Sequence, residues 1–202
     1  YISTISTNKM ANTTSSYGES GYYFSKLFHN FRKEFFTSLN EDILKKIYFR
    51  AYPKTRQHDF YLSEQNIDFE NWIKNKVAYY DDYDKSNVNQ LLRQSNLCIC
   101  DYLSTPYNQL LIANVPSIIL MNSKTYLLEK KYKNIFSKLI DAKIVFLDPS
   151  EAALFINENI ENINEWWESK HVQSSRKDYL KTNFGKPNKL NDFILNIARE
   201  TN

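Results

Sequence analysis

Between Cys100 and Pro116 the chain reads CDYLSTPYNQLLIANVP. An apolar strand closes on the carboxylate of Asp101, a turn carries the hydroxyls of Ser104 and Thr105, and Pro106 brings the fixed φ that suits the first turn of a helix. Hydroxyls and unpaired backbone N–H groups would converge there on a positive helix terminus, a seat for an anion such as phosphate. Ser and Thr are also preferred helix caps, so residue type alone leaves a plain N-cap standing beside the phosphate seat.

A second cluster, FRAYPKTRQHDF, spans Phe49 to Phe60. Arg50 and Tyr52 end a strand, Pro53 stops the ladder, and Lys54, Arg56 and His58 come next. Cations at a strand's carboxyl end can clamp a diphosphate or a sugar carboxylate. Lys54 and Arg56 fit a solvated basic loop equally well, whereas Arg50 lies within an apolar strand, where a buried guanidinium needs a partner. A third group, Ser6 and Thr7 with Asn8, comes after the first expected strand, either as a donor-phosphate loop or as loop filler.

Other chemistries lack their residues. With Gly18, Gly21 and Gly185 as the only glycines, there is no Gly-x-Gly-x-x-Gly fingerprint and no P-loop. Cys98, Cys100 and the histidines His29, His58 and His171 lack metal-ligand spacing, and no Gly-x-Ser-x-Gly elbow presents a serine, so neither a metal nor a cofactor is expected. Asp81, Asp82 and Asp84 read as an acidic turn, and Trp166 and Trp167 as packing for the C-terminal helices.

Positioning these groups takes a core, and 202 residues that are 42% hydrophobic and 15% aromatic suffice for one substantial core. Lys and Arg exceed Asp and Glu by only 26 to 23, too small a surplus to mark nucleic acid or a membrane surface as a partner through overall charge. Cys98 and Cys100 point the same way along a strand and cannot bridge without distorting it, which favours free buried thiols in a reducing compartment. No run reaches the roughly 18 apolar residues of a membrane span. No signal-peptide pattern opens the chain, which starts at Tyr1 in strand-like sequence, as a domain cut from something larger would.

Six runs carry strand chemistry: YISTIS (1–6), KIYFRAY (46–52), VAYYDD (77–82), LCICDY (97–102), PSIILMN (116–122) and KIVFLD (143–148). Helical stripes lie between them: Phe24, Leu27, Phe28, Phe31 and Phe35; Val88, Leu91 and Leu92; Tyr132, Ile135, Phe136 and Leu139. Residues Asn8 to Ser20 read as a loop. The alternation predicts a doubly wound, mostly parallel α/β sheet over residues 1–148, whose ligands would bind at the strands' carboxyl ends. Residues 149–202 read as a helical C-terminal tail that packs on this domain or on another.

The order YFRAYP, then SNLCICDYLSTPYNQLLIANVPSIILMN, then FLDPSEAALFINENIENINEWWESKHVQSSRKDYLKTNFG, from about Lys46 to Gly185, resembles the C-terminal half of a family of transferases encoded among bacterial surface-polysaccharide (O-antigen) genes. The resemblance implies a GT-B type glycosyltransferase, with two Rossmann-like domains facing across a cleft. This chain would be the nucleotide-binding half, and the N-terminal half of the same enzyme would hold the acceptor. It implies as partners a CMP-, UDP- or GDP-linked sugar donor and a glycan or lipid-linked acceptor, with no nucleic acid. It also implies a cytoplasmic enzyme, peripheral at the inner face of the cytoplasmic membrane.

By position, Arg50 with Tyr52 and Pro53 is similar to the family's arginine-containing strand end, Ser104 and Thr105 to its phosphate-side hydroxyl turn, and Asn114 and Pro116 to its helix exit; Asp101 closes the strand beside that seat. Two positions depart. Gln109 stands where such motifs place a Glu for the ribose hydroxyls, and Pro106 where a second hydroxyl is common; an amide still accepts a hydrogen bond but carries no charge. Related enzymes that use CMP-linked Kdo sharpen the expectation, with Arg50, Lys54 and Arg56 facing one phosphate and a sugar carboxylate. His58 is the local candidate for a catalytic base. The same seat would also serve a CDP-linked polyol phosphate donor, and the two departures would also fit a non-catalytic α/β binding module.

Overall fold

The computed structural model describes residues 18–50, 64–81, 92, 95–101, 103, 105–124 and 128–184. The expected strand at 1–6, the stripe from Val88 to Leu91 and residues 185–202 of the expected helical tail lie outside the described residues. In chain order the elements are α1 (Gly18–Thr37), α2 (Glu41–Leu44), β1 (Tyr48–Arg50), α3 (Glu64–Lys74), β2 (Tyr79–Asp81), β3 (Cys98–Cys100) and α4 (Thr105–Ile112). After these come β4 (Ser117–Leu120), α5 (Lys130–Asp141), β5 (Val145–Phe146), α6 (Pro149–Asn159), a 3-10 turn, α7 (Ile163–Glu168) and α8 (Lys170–Phe184).

All the described strand pairs are parallel. β1 pairs with β2, Tyr48 opposite Tyr79 and Arg50 opposite Asp81, while β3, β4 and β5 form a second ladder in that order. The fold is thus α/β, as the alternation predicts, but mostly helical and with a small sheet. Each described strand is shorter than its apolar run.

Side chains that alternate along the strands divide the interior in two. Ile99, Ile118, Leu120 and Phe146 join Phe49 of β1 in a core closed by Phe31, Phe35 and Phe36 of α1, Phe69 and Ile73 of α3, and Ala152 and Ile156 of α6. Cys98, Cys100, Ile119 and Val145 face the other core, with Tyr107, Leu110 and Leu111 of α4, Phe136 and Leu139 of α5, and Val172 and Tyr179 of α8. Burial on both faces is the reason these strands are apolar almost throughout. Helices α6 and α8 pack on opposite faces, so the described part of the tail covers the sheet from both sides.

Helices α1, α2 and α3 differ from expectation, the four-residue α2 being one that no stripe announced. α1 begins at Gly18, inside the stretch read as a loop, and α3 is not among the expected elements, because the inward residues described on it, Phe69, Trp72 and Ile73, stand among polar ones. α6 starts as its sequence suggests: Asp148 accepts from Ser150 N and Glu151 N, and Pro149 takes the first helical position.

The exits of α4 and α5 use one device. Val115 N donates to Leu110 O at 3.0 Å and Asn114 N to Leu111 O at 3.4 Å; Ile144 N donates to Leu139 O and Lys143 N to Ile140 O, both at 2.9 Å. These are paired Schellman bonds, which need a left-handed residue, and here Asn114 (φ 57°) and Lys143 (φ 60°) take a place usually filled by glycine. The Cβ of Lys143 should cost roughly 1 kcal/mol in that conformation. Lys143→Gly is therefore expected to raise unfolding stability by about that amount, read as a higher urea midpoint at unchanged slope.

Desolvation raises the Cys98 thiol above its ordinary 9.0; burial, and after it the Asp101 carboxylate, raises Cys100 further. Unfolded thiols ionise from about pH 9 upward while the folded ones stay neutral, so stability is whole below that pH and falls as pH rises through it. The slope should approach about 1.4 kcal/mol per pH unit for Cys100, with a smaller contribution from Cys98. Urea titrations from about pH 8 to about pH 10.5 should show this fall, and Cys98→Ala with Cys100→Ala should flatten it.

Candidate functional site

Lys46, Ile47 and Tyr48 at the start of β1, and Ser95, Asn96 and Leu97 just before β3, line one cavity beneath Leu39 and Ile156. The two ladders therefore run in the same sense. Arg50, Asp101 and Asn122 emerge together at the opposite edge, the carboxyl edge, where open α/β sheets bind their ligands.

That edge holds a buried polar group of residues. Asp101, only 1% exposed, comes directly after the last residue of β3, and its Oδ2 accepts from Arg32 Nε of α1 at 2.6 Å and also contacts Arg32 Nη2. The Arg32 guanidinium carbon lies 4.1 Å from the centroid of the Phe28 ring and 5.3 Å from that of Phe69. The cation is thus held between aromatic faces on one side and a carboxylate on the other. One turn earlier, His29 is buried and stacked on Phe69 at 5.2 Å. Arg50 is buried at the end of β1, and Asn122 at the end of β4 accepts from Lys124 N at 2.9 Å.

Beside this group, α4 leaves β3 after a four-residue connection. Thr105 and Gln109 are exposed on it, one turn apart and so on one face, while Tyr107, Leu110 and Leu111 turn into the core. The helix start is thus open to solvent on the Thr105 side, and its unpaired N–H groups carry partial positive charge.

Of the expected site residues, the structure brings Arg50, Asp101, Thr105 and Gln109 to one edge of the sheet or to the helix that leaves it. Asp101 is a buried counter-ion of Arg32. Ser6, Thr7, Tyr52, Lys54, Arg56, His58 and Ser104 lie outside the described residues. Among the described residues no group of three or more His, Cys, Asp and Glu could hold a metal ion.

A family model described as LIC12162 family transferase matches residues 1–192. The chain belongs to the LIC12162 family of transferases. Neither the curated proteins nor the solved structures gave a match. No helix among the described residues is long and apolar enough to cross a membrane.

In this transferase, sequence reasoning passed over His29, Arg32 and Asn122. The signal for Arg32 was present, since it falls in the stripe of Phe28, Phe35 and Leu39, where an arginine needs a partner. Removing one member of a buried pair strands the other. Arg32→Ala is expected to cost about 3–5 kcal/mol, and Arg32→Met with Asp101→Leu far less, because the double change leaves neither member of this pair stranded. Urea unfolding of both variants checks this.

Proposed function

We propose that this transferase is the nucleotide-binding half of a GT-B type glycosyltransferase, with a Rossmann-like sheet, that uses an activated sugar to build bacterial surface polysaccharide. The observation that carries the reading is the shared edge: a buried guanidinium, Arg50, at the end of one parallel strand, and an open helix start, Thr105, just beyond the end of another. Both favour a phosphate.

In the reaction, the bond between the anomeric carbon and the donor phosphate oxygen breaks, and its electron pair leaves with the phosphate. Arg50 and the N–H groups at the start of α4 stabilise that departing charge, helped by Lys54 and Arg56. The acceptor hydroxyl adds to the anomeric carbon and loses its proton to a base, for which His58 is the candidate in this chain. Gln109, one turn along the exposed face from Thr105, is suited to accept from the ribose hydroxyls. Tyr52, Ser6 and Thr7 would complete the donor's surroundings, and a CMP-linked acidic sugar such as Kdo matches a site with several cations and a single phosphate to hold.

Isothermal titration of CMP, CDP, UDP and GDP against the full chain tests the reading. One cytidine nucleotide should bind, and Ser104→Ala with Thr105→Ala should weaken it at least about tenfold without changing the melting temperature, a loss equivalent to one charge-assisted contact. Absence of binding by all four, or equal binding by the variant, would overturn the proposal.

A further inference from the structure

We infer that Arg32 is a positioning residue for the anion seat at the start of α4, acting through Asp101; the inference rests on the nucleotide-binding reading of that seat. Arg32 lies on α1, in the layer across the sheet from α4, and touches the strand from which α4 departs. Asp101 comes immediately after β3 and precedes Thr105 by four residues. Where Asp101 is held therefore decides where the connection starts, and so where the first N–H groups of α4 point.

Three features make the hold directional. Both Nε and Nη2 of Arg32 address one carboxylate oxygen, so that oxygen is held in the fork of the guanidinium. The Phe28 and Phe69 rings lie against the guanidinium, which limits the turning of its plane. Arg32 and Asp101 are 4% and 1% exposed, so water does not compete for either. A buried ion pair is seldom the most stable filling for such a space; apolar residues of similar volume often do as well or better. What the pair supplies beyond an apolar filling is a defined position, and the neighbouring element that depends on it is α4. The pair also balances the Asp101 charge, which would otherwise repel an incoming phosphate.

The test separates position from stability. Arg32→Met with Asp101→Leu should melt near the parent temperature, yet bind the cytidine nucleotide found by titration at least about tenfold more weakly, since the apolar pair restores packing without direction. Arg32→Lys keeps the charge but not the planar fork and should also bind about tenfold more weakly. Parent-like binding by the double variant would reduce Arg32 to a structural role, and parent-like binding by Arg32→Lys would leave charge balance alone as its contribution; either overturns the inference. If the double variant fails to fold, Arg32→Lys alone decides. A parent chain that binds no nucleotide instead removes the reading beneath, a result distinct from both.

Discussion

The ion pair between Arg32 and Asp101 is the contact on which the carboxyl edge of this sheet depends. It joins a helix of one outer layer to the end of a strand in the middle layer. Each ion alone would be too costly to bury; together, with Phe28 and Phe69 against the guanidinium, they are tolerated in the interior. Their presence constrains their surroundings. α1 must pass close to the end of β3, and His29, one turn back on the same helix, is carried into the same buried region against Phe69. A polar cluster thus sits at the strand ends because α1, which ends at Thr37 just before Leu39 at the strand starts, extends back far enough to bring Arg32 to Asp101.

The rest of the architecture results from a parallel sheet that is buried on both faces. Parallel strands need crossover connections, and the helices of those crossovers cover the faces. In this chain α1, α3 and α6 take one face, and α4, α5 and α8 the other. β3 shows the consequence at the level of single residues. Ile99 packs on one core and Cys98 and Cys100 on the other, and all three are buried. The thiols are free and lie on one side of the strand, with no room for a bridge between them.

Where apolar periodicity was long or continuous, the sequence was sufficient to foresee the elements: the runs around β1 to β5, the stripe of α5 and the amphipathic part of α1 all appear. The misses have physical causes. In α3 the inward residues described, Phe69, Trp72 and Ile73, are set among polar ones that mask the period. The start of α1 at Gly18 lies in Ser- and Gly-rich sequence that resembles a loop by composition, and it is the aromatic stripe further along the helix that packs into the core. At the site, Arg50 and Thr105 were recognisable because each adjoins a strand end in sequence. For Arg32 the apolar stripe announced a buried cation but not its partner, which lies 69 residues away and is brought to it only by the topology.

The C-terminal helices complete the surroundings of α4 and leave one of its ends open. Arg176 Nη1 donates to Leu111 O at 2.6 Å, and burial lowers the affinity of that guanidinium for its proton without removing its charge at neutral pH. A cation at the carbonyl end of a helix is favourable. Trp167 Nε1 donates to Asn114 O and Oδ1 at 3.2 and 3.1 Å, which stabilises the left-handed residue that ends the helix. On the flank, the Tyr179 hydroxyl donates to Asn108 Oδ1 at 2.9 Å and meets the Tyr107 hydroxyl at 2.7 Å. α4 is therefore held at its carbonyl end and along its inner side by α7 and α8, while Thr105 at its amino end stays exposed. The end left to solvent is the one whose N–H groups carry partial positive charge, while the opposite end is tied to α7 and α8.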